Sequence, residues 1–260
     1  MPSSSELALT GQYPPTTYRN LRDIARAIAA TRERLATQDV SQYLSFKHVS
    51  PADFKDIDTH RSQLGAVRFT YYPDINTLLI KVPTRAHEVV HRNFDRKISS
   101  QFDAMNIDID QFLSLGATRY VGPTASEKEA DSSFTNPVFR PRDSDWPTLV
   151  IESGVSESMP RLRQDAAWWM ANSRGQVQIV LLIKVTRDTK CMVIEKYVPE
   201  ARVYPNTRAQ ALAGPDYRPA LVSTTEVHQG AYPPYVQGPP VILEFQRVLG
   251  RPPVLPEGNI

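Results

Sequence analysis

The sequence predicts an α/β fold with a mixed central sheet flanked by helices, and three observations predict it. The run 177–185 (Val-Gln-Ile-Val-Leu-Leu-Ile-Lys-Val) is apolar on both faces over most of its length, as a strand covered on both sides must be. An apolar run at 149–151, a helical stretch at 160–173 and that buried run follow in order, which makes a right-handed crossover between parallel strands. Upstream, two alternating runs flank Pro73-Asp74-Ile75-Asn76, a hairpin signal, and a helical pattern follows them.

The elements follow in chain order. Residues 1–15 are rich in Ser and Pro and are expected to be flexible. Thr16 or Thr17 is positioned to cap a helix whose apolar residues, Leu21, Ile24, Ala25, Ile28, Ala29 and Leu35, recur at helical spacing. Residues 43–49 read as a short strand and 51–60 as a loop or short helix. The hairpin strands are 66–72 and 77–82, and Pro83 ends the second. Residues 84–104 predict a helix on Val90, Phe94 and Ile98; 117–121 predict a strand, and a polar loop leads to Asp131. A further strand is expected at 191–198. Beyond about residue 199, Pro205, Pro215, Pro219, Pro233, Pro234, Pro239 and Pro240 mark a loop-rich extension, in which only 241–248 looks like a returning strand. The predicted organisation is a flexible 1–15, an α/β domain over 16–200 and a Pro-rich extension over 201–260 packed on it.

Composition narrows the function. Hydrophobic residues are 41% of the 260, enough for a sizeable core, and charged residues are 22%. The net charge of +2 announces no global basic field. Arginine nonetheless outnumbers lysine, 22 to 8, and suits bidentate contacts with phosphate and carboxylate. Arg19, Arg22, Arg26, Arg32 and Arg34 crowd the first helix, and Arg85, Arg92, Arg96 and Lys97 the second, as solvated faces or as a phosphate-tracking surface. A single cysteine, Cys191, excludes an intrachain disulfide and a cysteine zinc site; it is expected to be a core residue rather than a nucleophile. No apolar run reaches membrane-spanning length and no secretory signal is visible, so a cytoplasmic or nuclear location is expected.

The chemistry gathers around two acids. Asp131-Ser-Ser-Phe is followed by Trp146-Pro-Thr-Leu-Val-Ile-Glu152-Ser-Gly-Val-Ser-Glu-Ser, then Leu162-Arg-Gln-Asp-Ala-Ala-Trp-Trp169, then the buried strand. An acid closing an apolar strand is costly unless it is exposed or coordinated, so Glu152 asks for a reason. Taken with the hairpin and helix before it, roughly residues 65–200 resemble the PD-(D/E)XK, or restriction-endonuclease-like, superfamily. The similarity is to uncharacterised, chiefly fungal members and to bacterial restriction-endonuclease-like proteins of that fold. It implies a nuclease-type hydrolase of nucleic acid, with Mg²⁺ or Mn²⁺ held by Asp131, Glu152 and the backbone carbonyl of Ser153; it leaves a homodimer open. Two departures stand out. Ala130, not proline, precedes the first acid, and Gly154 stands where the resemblance expects a lysine. If the strands at 149–152 and 177–185 are parallel, Lys184 reaches the same sheet edge and becomes the candidate replacement. Glu88, on the preceding helix, is a candidate extra acid at the metal. Gln164, Arg161 and Arg163 are candidate substrate contacts, although Arg161 and Asp165 also have the spacing of an ion pair on one helix. Trp168 and Trp169 are expected to pack helix against sheet.

If the cleavage chemistry is lost, the alternative is an inactive nuclease-fold binding module. A second alternative comes from His87-Glu88-Val89-Val90-His91, which matches H-E-x-x-H, the helical zinc site of metallopeptidases. No third ligand stands at the usual downstream spacing, where Lys97 is found. Asp56-Ile-Asp58-Thr-His60 has metal-ligand residue types but lacks the glycine and terminal glutamate of a calcium loop.

Overall fold

The computed structural model describes residues 1–155, 159–202 and 215–260. The fold is mixed α/β, with two sheets and helices against them. The first sheet contains β1 (Thr16–Thr17), β2 (Tyr43–Lys47), β3 (Arg68–Tyr72), β4 (Thr77–Lys81), β6 (Arg119–Val121) and β7 (Glu127–Glu129), in the order β1-β2-β4-β3-β7-β6. The second contains β5 (Leu113–Ser114), β8 (Ser132–Thr135), β9 (Leu149–Val155), β10 (Ile179–Thr186), β11 (Cys191–Arg202), β12 (Asp216–His228) and β13 (Tyr235–Gln237), in the order β13-β12-β11-β10-β9-β8-β5. The helices are α1 (Ser4–Leu7), α2 (Leu21–Thr37), α3 (Pro51–Thr59), α4 (Arg85–Ala104), α5 (Met159–Asn172) and α6 (Phe245–Leu249).

Alternation along the hairpin decides which residues reach the second sheet. Leu78 and Ile80 of β4, with Phe69 and Tyr71 of β3, pack under α2 and α3 on Ile24, Ile28, Phe54 and Ile57. The opposite face carries Leu79 and Tyr72, which join Val150, Val180, Leu182 and the α5 residues Leu162, Trp168 and Trp169. Lys81 has the parity of Leu79, so it points into this inter-sheet layer. Lys128 does too, because it lies opposite Thr70, two residues before Tyr72. The far face of the second sheet, with Ile151, Leu181 and Ile183, packs on Ile98 and Phe102 of α4 and on Phe245 and Val248 of α6.

The parallel pairing across the helix is as the sequence predicts. β9 and β10 are parallel, with Glu152 opposite Leu182, and α5 connects them. β8 and β11 flank the pair antiparallel. Trp168 and Trp169 are fully buried between helix and sheet.

Several expectations change. The cap of α2 is Asn20, whose side chain accepts from the Asp23 amide; Thr16 and Thr17 instead extend along β2. Residues 4–7 form a helix closed by a Ser3–Glu6 capping box, and Leu7 and Ala8 are buried against α5 rather than loose. β9 runs on through Glu152 to Val155, so the acid sits within a strand and not at its end. In the extension, 241–244 is irregular and 245–249 is helical, while the long strand is β12, paired with β11. Pro205 lies outside the described residues. Cys191 is half-buried at a strand end rather than in the core. No helix among the described residues is long and apolar enough to cross a membrane.

Candidate functional site: a buried acidic centre between the sheets

Asp131, immediately before β8, and Glu152, in mid-β9, are both 1% exposed. A carboxylate there must find internal partners. Asp131 finds them all on one oxygen. Its Oδ2 accepts from Nζ of Lys81 at 2.6 Å, from Nε2 of His87 at 2.9 Å, and from the Ser153 amide and hydroxyl at 2.7 and 3.3 Å. Its Oδ1 is buried without a hydrogen-bond partner among the described residues.

Lys81 links the two acids. Its ammonium also donates to the Ser153 carbonyl at 2.6 Å and lies 3.7 Å from Oε2 of Glu152. The Tyr43 ring is beside it, 5.7 Å from ammonium to ring centre. The oxygens that the resemblance implied as metal ligands, from Asp131, Glu152 and the Ser153 carbonyl, all approach one ammonium.

Glu152 is held from the other side. Nε1 of Trp169 donates to its Oε1 at 2.7 Å, and the Lys128 ammonium lies 3.3 Å from that oxygen. Lys128 donates on to Asp165 at 2.8 Å, and the Tyr43 hydroxyl donates to the second Asp165 oxygen at 3.0 Å. The seam between the sheets is closed by Gln42, fully buried, which accepts from the Val155 amide and donates to the Val82 carbonyl.

These surroundings push the two acids apart. Burial works to raise the Asp131 pKa, but the His87 and Lys81 charges outweigh it and hold the carboxyl well below its ordinary value. Burial pushes Glu152 up to about 7, against Lys128 and Lys81 and helped by Asp165 and Asp131. Burial opposes the charge on Lys128, yet Asp165 and Glu152 more than compensate and raise its pKa. For His87, burial opposes protonation, and the Asp131 carboxylate prevails to raise it.

The other candidate residues are distributed as follows. Lys184 does not join the pair: it lies opposite Gly154, one side-chain position beyond Glu152 on the same face, and Lys81 and Lys128 of the first sheet take the place expected for it. Arg161 is 2% exposed and donates to the Leu7 and Ala8 carbonyls, so it turns to α1 rather than to Asp165, which Lys128 has taken. Arg163 makes a two-pronged ion pair with Glu195. Gln164 is half-buried on the same helix. Glu88 touches neither acid; it lies between His91, at 3.3 Å, and His87, at 3.8 Å, and pairs with Arg68 and Arg92. His87 and His91 are both buried. Asp56, Asp58 and His60 belong to α3 and its end, where Asp58 pairs with Arg119.

Lys81 and Lys128 carry the centre, and sequence reasoning missed both. Lys81 had a signal: it is the one charge in the otherwise apolar run 78–82, the same argument that singled out Glu152. Lys128, between Glu127 and Glu129 in a polar stretch, had none. No protein-family model matches the chain, and no curated protein shows significant similarity to it.

Proposed function

We propose that the chain is a restriction-endonuclease-like domain whose acidic centre is neutralised by its own lysine, and that it serves as a nucleic-acid-binding module without cleaving phosphodiesters. The observation that carries this reading is the place of one atom. Nζ of Lys81 is 2.6 Å from Asp131 Oδ2, 2.6 Å from the Ser153 carbonyl and 3.7 Å from Glu152 Oε2. A divalent cation sharing those oxygens would need that same space. The oxygens themselves suit a hard cation, and the buried, unpartnered Oδ1 of Asp131 could serve as a further ligand. The ammonium, however, already supplies the positive charge, and the carboxylates, 1% exposed, are buried from a phosphodiester among the described residues.

The order of elements supports the fold. Helix α4, strands β8 and β9, helix α5 and parallel strand β10 follow in the order that the resemblance implies, although the strand expected at 117–121 is β6 of the first sheet; Asp131 immediately precedes β8, and Glu152 lies on the adjacent β9. The partner is argued from charge. Arg19, Arg26 and Lys47 line an open groove of about 730 Å³ between α2 and β2; Asp23 lines it too and pairs with Arg26, which leaves a net positive surface suited to a phosphate backbone.

A second reading rests on the same convergence and takes Lys81 as the amine missing at position 154. Asp131, Glu152 and the Ser153 carbonyl would then hold Mg²⁺, which when bound activates water and stabilises charge on phosphate, and Lys81 would orient the phosphate. The peptidase reading of His87, Glu88 and His91 gains less, because Asp131 occupies Nε2 of His87 and both imidazoles are buried from a peptide.

One assay separates these. Labelled DNA and RNA are incubated with the protein and Mg²⁺ or Mn²⁺, with Glu152→Gln and Lys81→Met alongside, and binding is followed against salt. Salt-sensitive binding without cleavage is the expected result. Cleavage that both substitutions abolish would overturn the silent centre in favour of Lys81 as a working amine.

A further inference from the structure

Three side chains on the first turns of α4 make a second cluster, beside the acidic centre but facing away from it. One ligand atom from each of His87, Glu88 and His91 lies within 4.8 Å of the others. Nδ1 of His87 and Nε2 of His91 are both buried and face the Glu88 carboxylate at 3.8 and 3.3 Å, but neither makes a hydrogen bond of good geometry among the described residues. A buried polar atom left in this state calls for a cause. The opposite ring nitrogens are anchored: Nε2 of His87 on Asp131 at 2.9 Å and Nδ1 of His91 on Ser132 at 2.9 Å. This is how a protein orients an imidazole towards a metal, with a carboxylate or hydroxyl behind the ring fixing the far nitrogen and leaving the near one to bind.

We infer that His87 Nδ1, His91 Nε2 and the Glu88 carboxylate form a binding site for a borderline transition-metal cation of the zinc type. Two imidazoles and one carboxylate are a ligand set that Zn²⁺ and Co²⁺ accept, with a fourth position for water. That position lies on the side of Glu88, which is the partly exposed member. Glu88 is a ligand here, not a general base, so the site is distinct from a peptidase centre. Binding displaces any proton on Nδ1 of His87. It also competes with the guanidinium of Arg68, 3.3 Å from Glu88, and with that of Arg92, which is largely exposed.

The test is a titration of the metal-free full-length chain with Co²⁺, read by visible absorption, together with the zinc content of protein equilibrated with Zn²⁺ and desalted. The expected result is one equivalent of Co²⁺ with nitrogen and oxygen ligation and no thiolate charge-transfer band. Affinity should fall by at least about tenfold in His91→Asn and in Glu88→Gln. It should rise in Arg68→Met, which removes the competing charge, a gain that a purely structural role for these residues does not produce. Cys191→Ser reports on the other possible cluster, Cys191, Glu226 and His228, and Glu152→Gln on the acidic centre. The inference is overturned by absence of saturable binding, by a thiolate band, or by binding lost in Cys191→Ser or Glu152→Gln and kept in His91→Asn. Should His91→Asn fail to fold, the wild-type spectrum still decides between nitrogen and sulfur ligands. The outcome is independent of whether the chain cleaves nucleic acid.

Discussion

Replacing Lys81 by methionine keeps the aliphatic stem and deletes the ammonium. Asp131 then loses one of the four donors on Oδ2, the Ser153 carbonyl loses a donor, and Glu152 loses its neighbour at 3.7 Å. The lysine and aspartate side chains are 4% and 0% exposed, so solvent cannot replace what is lost. Removing one partner of a buried pair costs about 3–5 kcal/mol. At roughly 2–4 °C per kcal/mol for chains of this size, Tm should fall by about 6–20 °C. Cation dependence supplies the sharper test. If Lys81 occupies the cation position, the variant gains a site, and Mg²⁺ or Mn²⁺ should stabilise it by mass action, by about 2.7 kcal/mol at a hundredfold excess over Kd, and so raise its Tm. The wild type should not respond at that position. Differential scanning calorimetry with and without each cation reads both effects. A wild type stabilised by Mg²⁺ as much as the variant, or a variant within about 2 °C of wild type, would refute the reasoning.

Trp169→Phe removes the indole N–H that holds Glu152 at 2.7 Å and, in urea unfolding at a pH above the Glu152 pKa of about 7, should cost about 1.5–3 kcal/mol, as for a hydrogen bond to a charged group; a loss under about 0.5 kcal/mol would show that Glu152 does not depend on it. Burial pushes the Tyr71 and Tyr197 phenols up to about 12, and Glu195 adds to the effect at Tyr197. Their folded pKa values lie above the ordinary 10.0, so the stability they contribute is complete below pH 10 and is lost as pH rises through about 12. An ultraviolet absorbance titration should therefore show a late fraction of the 11 tyrosines, and a single transition near 10 would contradict it. Gly238 has φ +94°, and a Cβ there would lie 2.3 Å from the Thr224 carbonyl oxygen, which is backbone. Gly238→Ala should cost about 1–3 kcal/mol, and thermal unfolding at unchanged Tm would show that the approach of β13 to β12 is not tight.

The sequence was most legible where periodicity and burial agree. Helix α4, the hairpin and the β9–α5–β10 crossover each carry a period that one packing face explains, and their bounds fell within a few residues. It was least legible in the C-terminal extension. Pro219 within a run argues against a strand, yet β12 accommodates it opposite Pro199 of β11, where neither residue has an N–H to donate. At the acidic centre, Glu152 stood out as an acid in an apolar run, whereas Asp131 and the Ser153 carbonyl came only from the resemblance. Lys184 drew attention for being near Glu152 along one sheet. The lysines that matter cross from the other sheet, and such long-range pairing leaves no local pattern. The length of side chain that a buried position tolerates depends on what stands opposite, which a single sequence does not disclose.

The junction at Lys81 has a consequence for the conditions under which the molecule keeps its shape. A carboxylate centre that borrows its counter-ion from solution is only as stable as the supply of that ion, and chelators or a fall in magnesium weaken it. Here the counter-ion is encoded in the chain and tethered at full occupancy. The two sheets should therefore stay locked together regardless of the divalent-cation content of their surroundings, and the same covalent tether fixes in advance which cation the centre holds.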